Sequence, residues 1–498
     1  MFNAKNLILV MFRYAPLGLD TLTLLLHFRL AFCIYPVAIR RPKPYNQSFL
    51  MNKTLFGTDG IRGIANQYPI TPEVALRVGR AVARVLQSNG GGRHKVVIGK
   101  DTRLSGYMLE TAITSGLVSE GSRVLLTGPA PTPAVAHLTR SMGCDAGIML
   151  TASHNPYQDN GIKIFGSDGY KLNDQLELEI EKMILADDLP HPEGDLGKAI
   201  RIDDAMGRYI EFTKNAVGAN SLSGLKIVVD CANGAAYYVG PLIFEELGAE
   251  VIQMSVHPDG RNINEGVGAL HPEKAAAMVR EHGADVGICF DGDADRVIFC
   301  DENGEVIDGD RILCLCAKAL MEQGKLKGDT LVATVMSNLG MRDALAADGI
   351  KLETTGVGDR HVLECMRDKG YNLGGENSGH IIYSDYATTG DGIMSALMLL
   401  SMMRDKGEPL SKLADCMEVY PQVLLGLDVT EKPPTEEVPE IDAAIKAAEA
   451  AFADKGRVFV RYSGTERKIR VLTECPDAEL AKSQADLIAT AIKNTIGA

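Results

Sequence analysis

The spacing of hydrophobic positions changes along the chain, and each change marks an element. Thr71 and Pro72 open a stretch in which Val74, Leu76, Val78, Val82, Val85 and Leu86 recur at helical spacing. Residues 71–87 are therefore expected to form an amphipathic helix with Thr71 as its N-cap. The run Val96-Val97-Ile98 reads as a buried strand, followed by a helical pattern to about residue 120 and a strand over 123–127. The apolar run Ala146–Leu150 reads as another buried strand, ending in the polar turn Asn155-Pro156. A helix at 176–186 and strands at 225–229 and 286–290 continue the series, then a helix at 311–323 and a strand at 330–335. Near the end come a helix at 441–455 and a strand at 457–461. Short buried strands alternating with helices predict an α/β protein with parallel sheets and helices over both faces.

Turn-rich stretches divide this series. The Pro/Gly/Asp-rich segment running to Asp195 reads as a loop at a domain edge, and the Pro/Glu-rich segment 431–439 as a linker. A length of 498 residues suits about three or four domains. The boundaries expected are 51–205, 206–305, 306–425 and 426–498. The strands leading to Thr151 and to Asp291 share a Gly-Ile pair, further apolar residues and a polar loop, which hints at a duplicated unit. Residues 1–50 differ in character from the rest of the chain. Their apolar runs are broken by Asp20, His27 and Arg29, so they hold neither a membrane span of about 20 residues nor a compact signal sequence. Translation is expected to begin at Met51, with 1–50 a non-native or disordered extension.

Composition narrows the function. The chain is 46% hydrophobic and 23% charged, as in ordinary globular proteins. A formal charge of −14 argues against a nucleic-acid-binding surface and requires any anionic ligand to meet locally concentrated cations. The ten cysteines include no CxxC and lie mostly in apolar segments, the pattern of a reduced cytoplasmic protein without disulfides or zinc.

Five loops carry candidate chemistry. Ser153, in Thr151-Ala152-Ser153-His154-Asn155-Pro156, sits where a strand runs out into a loop, the usual location of reacting groups in α/β proteins. Lys163 lies just past an Asn160-Gly161 pair, and a hairpin turn there would fold it back toward Ser153. In Asp291-Gly292-Asp293-Ala294-Asp295-Arg296 three carboxylates alternate with small residues directly after a buried strand, an arrangement suited to one hard cation. Such close like charges repel unless a cation or arginines neutralise them. Gly57 to Gly63 places Arg62 among glycines, where it can fork onto a phosphate. Glu376-Asn377-Ser378-Gly379-His380 groups carboxylate, amide, hydroxyl and imidazole, a set suited to a polyol or amino sugar, and His380 can move protons near neutral pH. Arg461, Ser463, Gly464, Thr465 and Arg470 form a phosphate cradle late in the chain. For the serine, glycine-rich and Glu376–His380 loops an ordinary turn is the competing reading; for the last loop it is a charged hairpin.

Four of these motifs in order, TASHNP, DGDADR, GENSGH and RYSGTERKIR, resemble the α-D-phosphohexomutase superfamily from Met51 to the C-terminus. The opening FGTDGIRG and Asn377, where the phosphomannomutase/phosphoglucomutase branch usually has Met, are similar to its glucosamine branch. Arg467 stands where the family often has Pro. The resemblance implies four domains around a central cleft, the first three related α/β units with mixed sheets and the fourth a smaller α+β domain. It implies one Mg2+ per chain held by Asp291, Asp293, Asp295 and a phosphorylated Ser153. Lys163 is implied as a general base whose pKa Arg62 or Arg296 would depress, with His380, Arg62 and His154 completing the catalytic set. Glu376, Ser378 and Arg296 would bind the sugar phosphate, and the last domain would close over the cleft. The implied reaction interconverts glucosamine 6-phosphate and glucosamine 1-phosphate for cell-wall precursors, with a 1,6-bisphosphate as intermediate and activator. The partner expected is a small sugar phosphate, with no nucleic acid or membrane, in a monomer or homodimer. A phosphomannomutase/phosphoglucomutase, a metal-dependent phosphatase with a serine nucleophile and a silent sugar-phosphate sensor are the alternative readings.

Overall fold

The computed structural model describes residues 53–57, 59–89, 94–186, 189–192, 194–218, 221–463 and 467–498. The expected extension 1–50, the start at Met51, and Gly464 and Thr465 lie outside them.

The strands assemble into four sheets. The first holds β1 (Phe56–Gly57), β2 (Gly60–Ile64), β3 (Lys95–Lys100), β4 (Arg123–Pro129), β5 (Ala146–Leu150), β6 (Asp159–Gly166) and β7 (Lys198–Arg201) in the order β1-β2-β6-β5-β3-β4-β7. The second holds β8 (Lys226–Asp230), β9 (Glu250–Met254), β10 (Val286–Phe290), β11 (Val297–Cys300) and β12 (Val306–Ile307), ordered β12-β11-β10-β8-β9. The third holds β13 (Thr330–Thr334), β14 (Lys351–Thr355), β15 (Leu373–Gly375) and β16 (Ile381–Tyr383), ordered β14-β13-β15-β16.

One unit recurs in all three. Its first strand pairs in parallel with both its second and its third, and the third pairs with an antiparallel fourth: β3, β4, β5, β6, then β8, β9, β10, β11, then β13, β14, β15, β16. The hint of duplication thus extends to a third copy. It also corrects the expectation of parallel sheets. The loops 151–158, 291–296 and 376–380 are shorter than the roughly dozen residues a parallel crossover needs, so each returns as an antiparallel strand. These three loops carry Ser153, the aspartates and His380, all at the C-terminal end of a buried parallel strand.

Asn160-Gly161 is not a turn. Both residues lie inside β6, and the serine loop itself is the hairpin connection that brings Lys163 opposite Met149. Strands β5 and β10 are buried at every position, as their unbroken apolar runs require. Fully burying each large aliphatic side chain there contributes about 1.5–3 kcal/mol. One apolar cluster runs through all three units, from Val97, Met149 and Phe165 through Ile288 and Phe290 to Leu331 and Leu397.

The fourth sheet is antiparallel: β17 (Gln422–Asp428), β18 (Arg457–Tyr462) and β19 (Lys468–Glu474), ordered β17-β19-β18. Helices Pro439–Phe452 and Ala478–Thr495 cover it with a separate core that includes Ile441, Ile469, Val471 and Ile488. Because β17 already pairs with β19, the Pro/Glu-rich stretch 431–439 is a connection within this unit, not a linker before it. Buried Glu474 ties the unit to the third, accepting from the Leu339 amide (2.6 Å) and Arg457 Nε (2.7 Å). The nine described cysteines are free, most of them buried. No described helix is long and apolar enough to cross a membrane.

Candidate active site

The serine loop is held in an unusual shape. Ser153 is buried with φ +52°, a left-handed conformation that costs a non-glycine residue on the order of 1 kcal/mol or more. What holds it is Arg103, fully buried in the segment after β3. Its Nη2 donates to the carbonyls of Ser153 (2.9 Å) and Asn155 (2.8 Å), its Nη1 to those of Pro156 and Asp159, and its Nε to Asp101 (2.8 Å). Asn264 Nδ2 donates to the carbonyls of Ser153 and Asn155 from the second unit (2.9 and 3.0 Å). The Thr151 hydroxyl accepts the Ser153 amide at 2.9 Å. Ser153 Oγ is thus presented to Asp291, donating to Oδ2 at 2.6 Å, with His154 Nδ1 3.3 Å away. His154 is lowered to about 4 by burial and then by Arg296 and Arg62, so it is neutral at pH 7.

The aspartate loop packs directly on the serine loop. A Cβ added at Gly292 would lie 2.5 Å from the Ser153 carbonyl oxygen and 2.8 Å from Asn264 Nδ2. Gly292→Ala is therefore expected to push Ser153 away from Asp291 and lower kcat by about tenfold or more in steady-state assays; an unchanged kcat would show that the loops yield without cost.

Asp291, Asp293 and Asp295 are all buried, and each offers a carboxylate oxygen within 4.8 Å of the others. Burial, then Asp293 and Asp295, push the Asp291 carboxyl well above the usual range. Burial pushes Asp295 the same way, but Lys163, His380 and Arg296 outweigh it and hold Asp295 well below. Asp293 Oδ1 and Asp295 Oδ1 are buried without a hydrogen-bond partner among the described residues. An all-oxygen set with orphaned, mutually repelling carboxylates fits a hard divalent cation.

The cations around this site are themselves buried. Lys163 Nζ lies 2.9 Å from Asp293, 3.1 Å from Asp295 and 3.2 Å from Asp59. Burial lowers its pKa, but those three carboxylates raise it further, and the net shift is well above the ordinary lysine value. The expectation of a depressed lysine is thereby corrected: Arg62 pulls in the expected direction but is outweighed by the carboxylates. Arg62 pairs with Asp59 at 2.5 Å. The Nε atoms of Arg62 and Arg296 are buried without a hydrogen-bond partner among the described residues.

His380 is buried between Asp295 (3.7 Å) and Asp359 (3.5 Å). Burial lowers its pKa, but the two carboxylates prevail and raise it. The Gly390 amide donates to Nε2 at 3.1 Å, so the neutral form carries its proton on Nδ1, facing Asp295. Glu376 accepts the Gly358 amide (3.1 Å) and the Ser378 hydroxyl (3.4 Å). It helps raise both Arg296 and His380, which places it in the same field.

Ser153, His154, Lys163, Arg62, the three aspartates, Arg296, Glu376, Ser378 and His380 thus come together from three units. Arg461 and Arg470 belong instead to the fourth sheet, directly opposite each other on β18 and β19, with Ser463 just beyond β18. Like charges directly opposite each other on neighbouring strands repel.

Sequence reasoning did not single out Asp59, Arg103, Thr132, Asn264, Lys171 or Asp359. Thr132 Oγ1 donates to Asp293 at 2.6 Å. A signal existed for Arg103, because Asp101-Thr102-Arg103 follows a buried strand at the same sheet edge as Ser153. None existed for Asn264 or Asp359, whose role depends on which loops meet.

The repeated unit and its mixed sheets define a multi-domain α/β class with its loops gathered at the strand ends, and comparison with known proteins places that class in a family. Residues 53–191, 207–304 and 308–420 match the phosphoglucomutase/phosphomannomutase alpha/beta/alpha domains I, II and III, and 424–491 match the C-terminal domain of the same family. The chain belongs to this family, the α-D-phosphohexomutases. It is 54% identical over 451 residues to the phosphoglucosamine mutase of Syntrophotalea carbinolica, covering 90% of this chain and 99% of that one. It is 53% identical to that of Cereibacter sphaeroides, covering 89% and 100%. Among solved structures, a phosphoglucomutase/phosphomannomutase family protein from Burkholderia thailandensis superposes with a TM-score of 0.74 at 26% identity, covering 88% of this chain and 97% of that one. The N-acetylphosphoglucosamine mutase of Aspergillus fumigatus, solved with GlcNAc-6P and magnesium, shares the fold at 18% identity with a TM-score of 0.61, covering 89% and 96%.

Proposed function

We propose that this chain interconverts glucosamine 6-phosphate and glucosamine 1-phosphate through a phosphoserine at residue 153 and a 1,6-bisphosphate. The observation that carries this reading is a matched set of buried orphans beside Ser153. Among the described residues Asp293 Oδ1, Asp295 Oδ1, Arg62 Nε and Arg296 Nε are buried without a hydrogen-bond partner. Asp295 Oδ1 has only long ionic contacts, to His380 Nδ1 (3.7 Å) and Arg296 Nε (3.9 Å), so the carboxylates can take a cation and the guanidinium groups an anion. A serine phosphate and its counter-ion supply both. Identity of about 54% to a phosphoglucosamine mutase supports the amino-sugar substrate.

A phosphate cannot pass from O6 to O1 within one sugar, so a stored phosphoryl group is needed. In the first half-reaction the Oγ–P bond of phosphoserine 153 breaks and an O1–P bond forms, giving the bisphosphate and free serine. The bisphosphate turns end for end. The O6–P bond then breaks and Oγ–P is remade, the Oγ proton returning to Lys163 and His380 giving back its proton to O6, which releases glucosamine 1-phosphate. The proton of the attacking sugar hydroxyl passes to His380, and Lys163, held as an ammonium by its carboxylates, protonates the leaving Oγ. Neutral His154 orients Ser153. Asp291, Asp293, Asp295 and the phosphoserine would hold Mg2+, which when bound neutralises charge on the transferring phosphoryl group. Arg62 and Arg296 bind that phosphoryl group, and Glu376 and Ser378 grip sugar hydroxyls. Arg461, Ser463, Gly464, Thr465 and Arg470 take the distal phosphate in either orientation. The fourth unit, which has its own core, closes over the site and keeps water from the phosphoserine. The first domain runs 51–205; the expected cuts at 305/306 and 425/426 shift to 307/308 and 421/422, because Val306–Ile307 pairs within the second sheet and Gln422–Asp428 within the fourth. The enzyme works in the cytoplasm with a trace of hexosamine or hexose 1,6-bisphosphate as activator.

The test is kcat/KM for glucosamine 6-phosphate, mannose 1-phosphate and glucose 1-phosphate with 1,6-bisphosphate present. The amino sugar is expected to be preferred by about tenfold or more, as a site built to bond one substituent discriminates against its absence. A preference for mannose or glucose phosphate would place the chain in the other branch, and release of free phosphate would make it a phosphatase.

A further inference from the structure

The charged groups of the site close into a ring. Lys163 meets Asp59 (3.2 Å), Asp59 meets Lys171 (2.5 Å), and Lys171 meets Asp359 (2.6 Å). Asp359 then faces His380 Nε2 (3.5 Å), His380 Nδ1 faces Asp295 (3.7 Å), and Asp295 returns to Lys163 (3.1 Å). Acid and base alternate around it. Asp59, Lys171 and Asp359 are the members with no place in the phosphoryl transfer itself, and Lys171, whose side chain is only 9% exposed, is the one that joins the other two.

Its two partners come from different parts of the fold. Asp59 lies between β1 and β2 of the first sheet. Asp359 opens helix Asp359–Lys369, which packs against the third sheet. Lys171 itself follows the tight turn after β6, bridged to Phe165. One ammonium therefore spans the boundary between the unit that carries Lys163 and the unit that carries His380. We propose that Lys171 is a positioning residue, holding Asp59 and Asp359 so that the two proton carriers Lys163 and His380 keep a fixed separation across that boundary. This rests on the reading of Lys163 and His380 as proton carriers.

The physical case is that two carboxylates sharing one cation separate when the cation is removed. Asp59 would then move with Lys163 and Arg62, and Asp359 with His380, each following its remaining partners. The boundary itself would survive. Arg360 donates to Glu177 (2.6 Å) and to the Leu172 carbonyl (3.0 Å), and Thr388 Oγ1 donates to the Gly169 carbonyl (2.7 Å). Arg367 lies over the Tyr170 ring at 3.9 Å. Loss of Lys171 should thus disturb the chemistry without separating the units.

The experiment compares Lys171→Met and Lys171→Arg with Lys163→Ala and His380→Ala, using glucosamine 6-phosphate at saturating 1,6-bisphosphate and following thermal unfolding of each. Lys171→Met is expected to lower kcat about a hundredfold, the scale of a 1 Å misplacement, with KM within about threefold and the melting midpoint within a few degrees. Lys171→Arg, whose fork can still bridge two carboxylates, is expected to recover at least about tenfold of that loss. A kcat for Lys171→Met within about threefold of wild type, a loss confined to KM, or no recovery in Lys171→Arg would overturn the proposal. If Lys171→Met does not fold, Asp359→Asn removes one arm of the bridge and is read in the same way: a fall in kcat supports the proposal and an unchanged kcat overturns it. Wild-type activity in Lys163→Ala and His380→Ala would instead sink the proton-carrier reading itself. Inactive Lys163→Ala and His380→Ala beside a fully active Lys171→Met would sink only the role of Lys171.

Discussion

Ser153→Ala is expected to abolish mutase turnover, by about 10^4-fold or more, because the phosphoryl group then has no carrier between O6 and O1. The fold should survive. The contacts that shape the loop run from Arg103 and Asn264 to the Ser153 carbonyl, which alanine keeps. What is lost is the hydroxyl bond to Asp291, worth about 0.5–1.5 kcal/mol where burial keeps that carboxyl protonated. Intact-mass measurement supplies an independent readout. The wild-type protein is expected to carry a covalent phosphate that the variant lacks. Turnover above about a hundredth of wild type in the variant would require a different phosphoryl acceptor, and the phosphoserine mechanism would fall.

The second large effect concerns the aspartates, and it has opposite signs for activity and stability. Asp291→Asn is expected to lower turnover by about a thousandfold or more, because it replaces an anionic cation ligand with a neutral amide and weakens the acceptor that orients Ser153. In chelator, the same variant is expected to unfold at a higher temperature than wild type, by the equivalent of about 1–3 kcal/mol. The reason is that Asp291 is buried against two other carboxylates and its pKa is raised well above the unfolded value. Folding therefore takes up a proton at this site, and wild-type stability falls as pH rises from the ordinary carboxylate range through the raised pKa. The asparagine variant lacks that slope. Adding a divalent cation should reverse the ranking, because the wild type gains binding energy that the variant largely lacks. Calorimetry with and without metal at two pH values checks all three statements. A variant that melts lower than wild type in chelator would mean the carboxylates are already neutralised by Lys163 and Arg296.

Much of the site was legible locally. The helix over 71–87 became Pro72–Asn89, and the strand over 123–127 became Arg123–Pro129, because their periodicities reflect one-sided or complete burial. The aspartate triplet declared itself through a charge density that no buried strand could feed into without compensation. What misled was reading each turn signal by itself. Asn160-Gly161 looks like a hairpin turn, yet it lies in a strand because the preceding loop had already reversed the chain. The Pro/Glu-rich stretch looks like a linker, yet β17 before it pairs with β19 after it, and pairing over that distance leaves no local mark.

Lys163 shows where the divide falls. The sequence by itself determined that a lysine would stand on an apolar segment soon after the serine loop and come back toward it, but through the wrong turn; the structure showed that the serine loop, too short for a crossover, makes the antiparallel return. The sequence also determined the order of the elements and the chemistry each loop carries, since both follow from residue type and spacing. Only the tertiary structure decided that Asp59, Asp293 and Asp295 surround the ammonium and hold it charged. It alone also decided that Arg103 and Asn264 clamp the serine loop and that Lys171 ties Asp59 to Asp359. These are through-space effects between groups far apart in the chain. Coulomb energy and hydrogen bonding depend on distance and burial, which the fold sets.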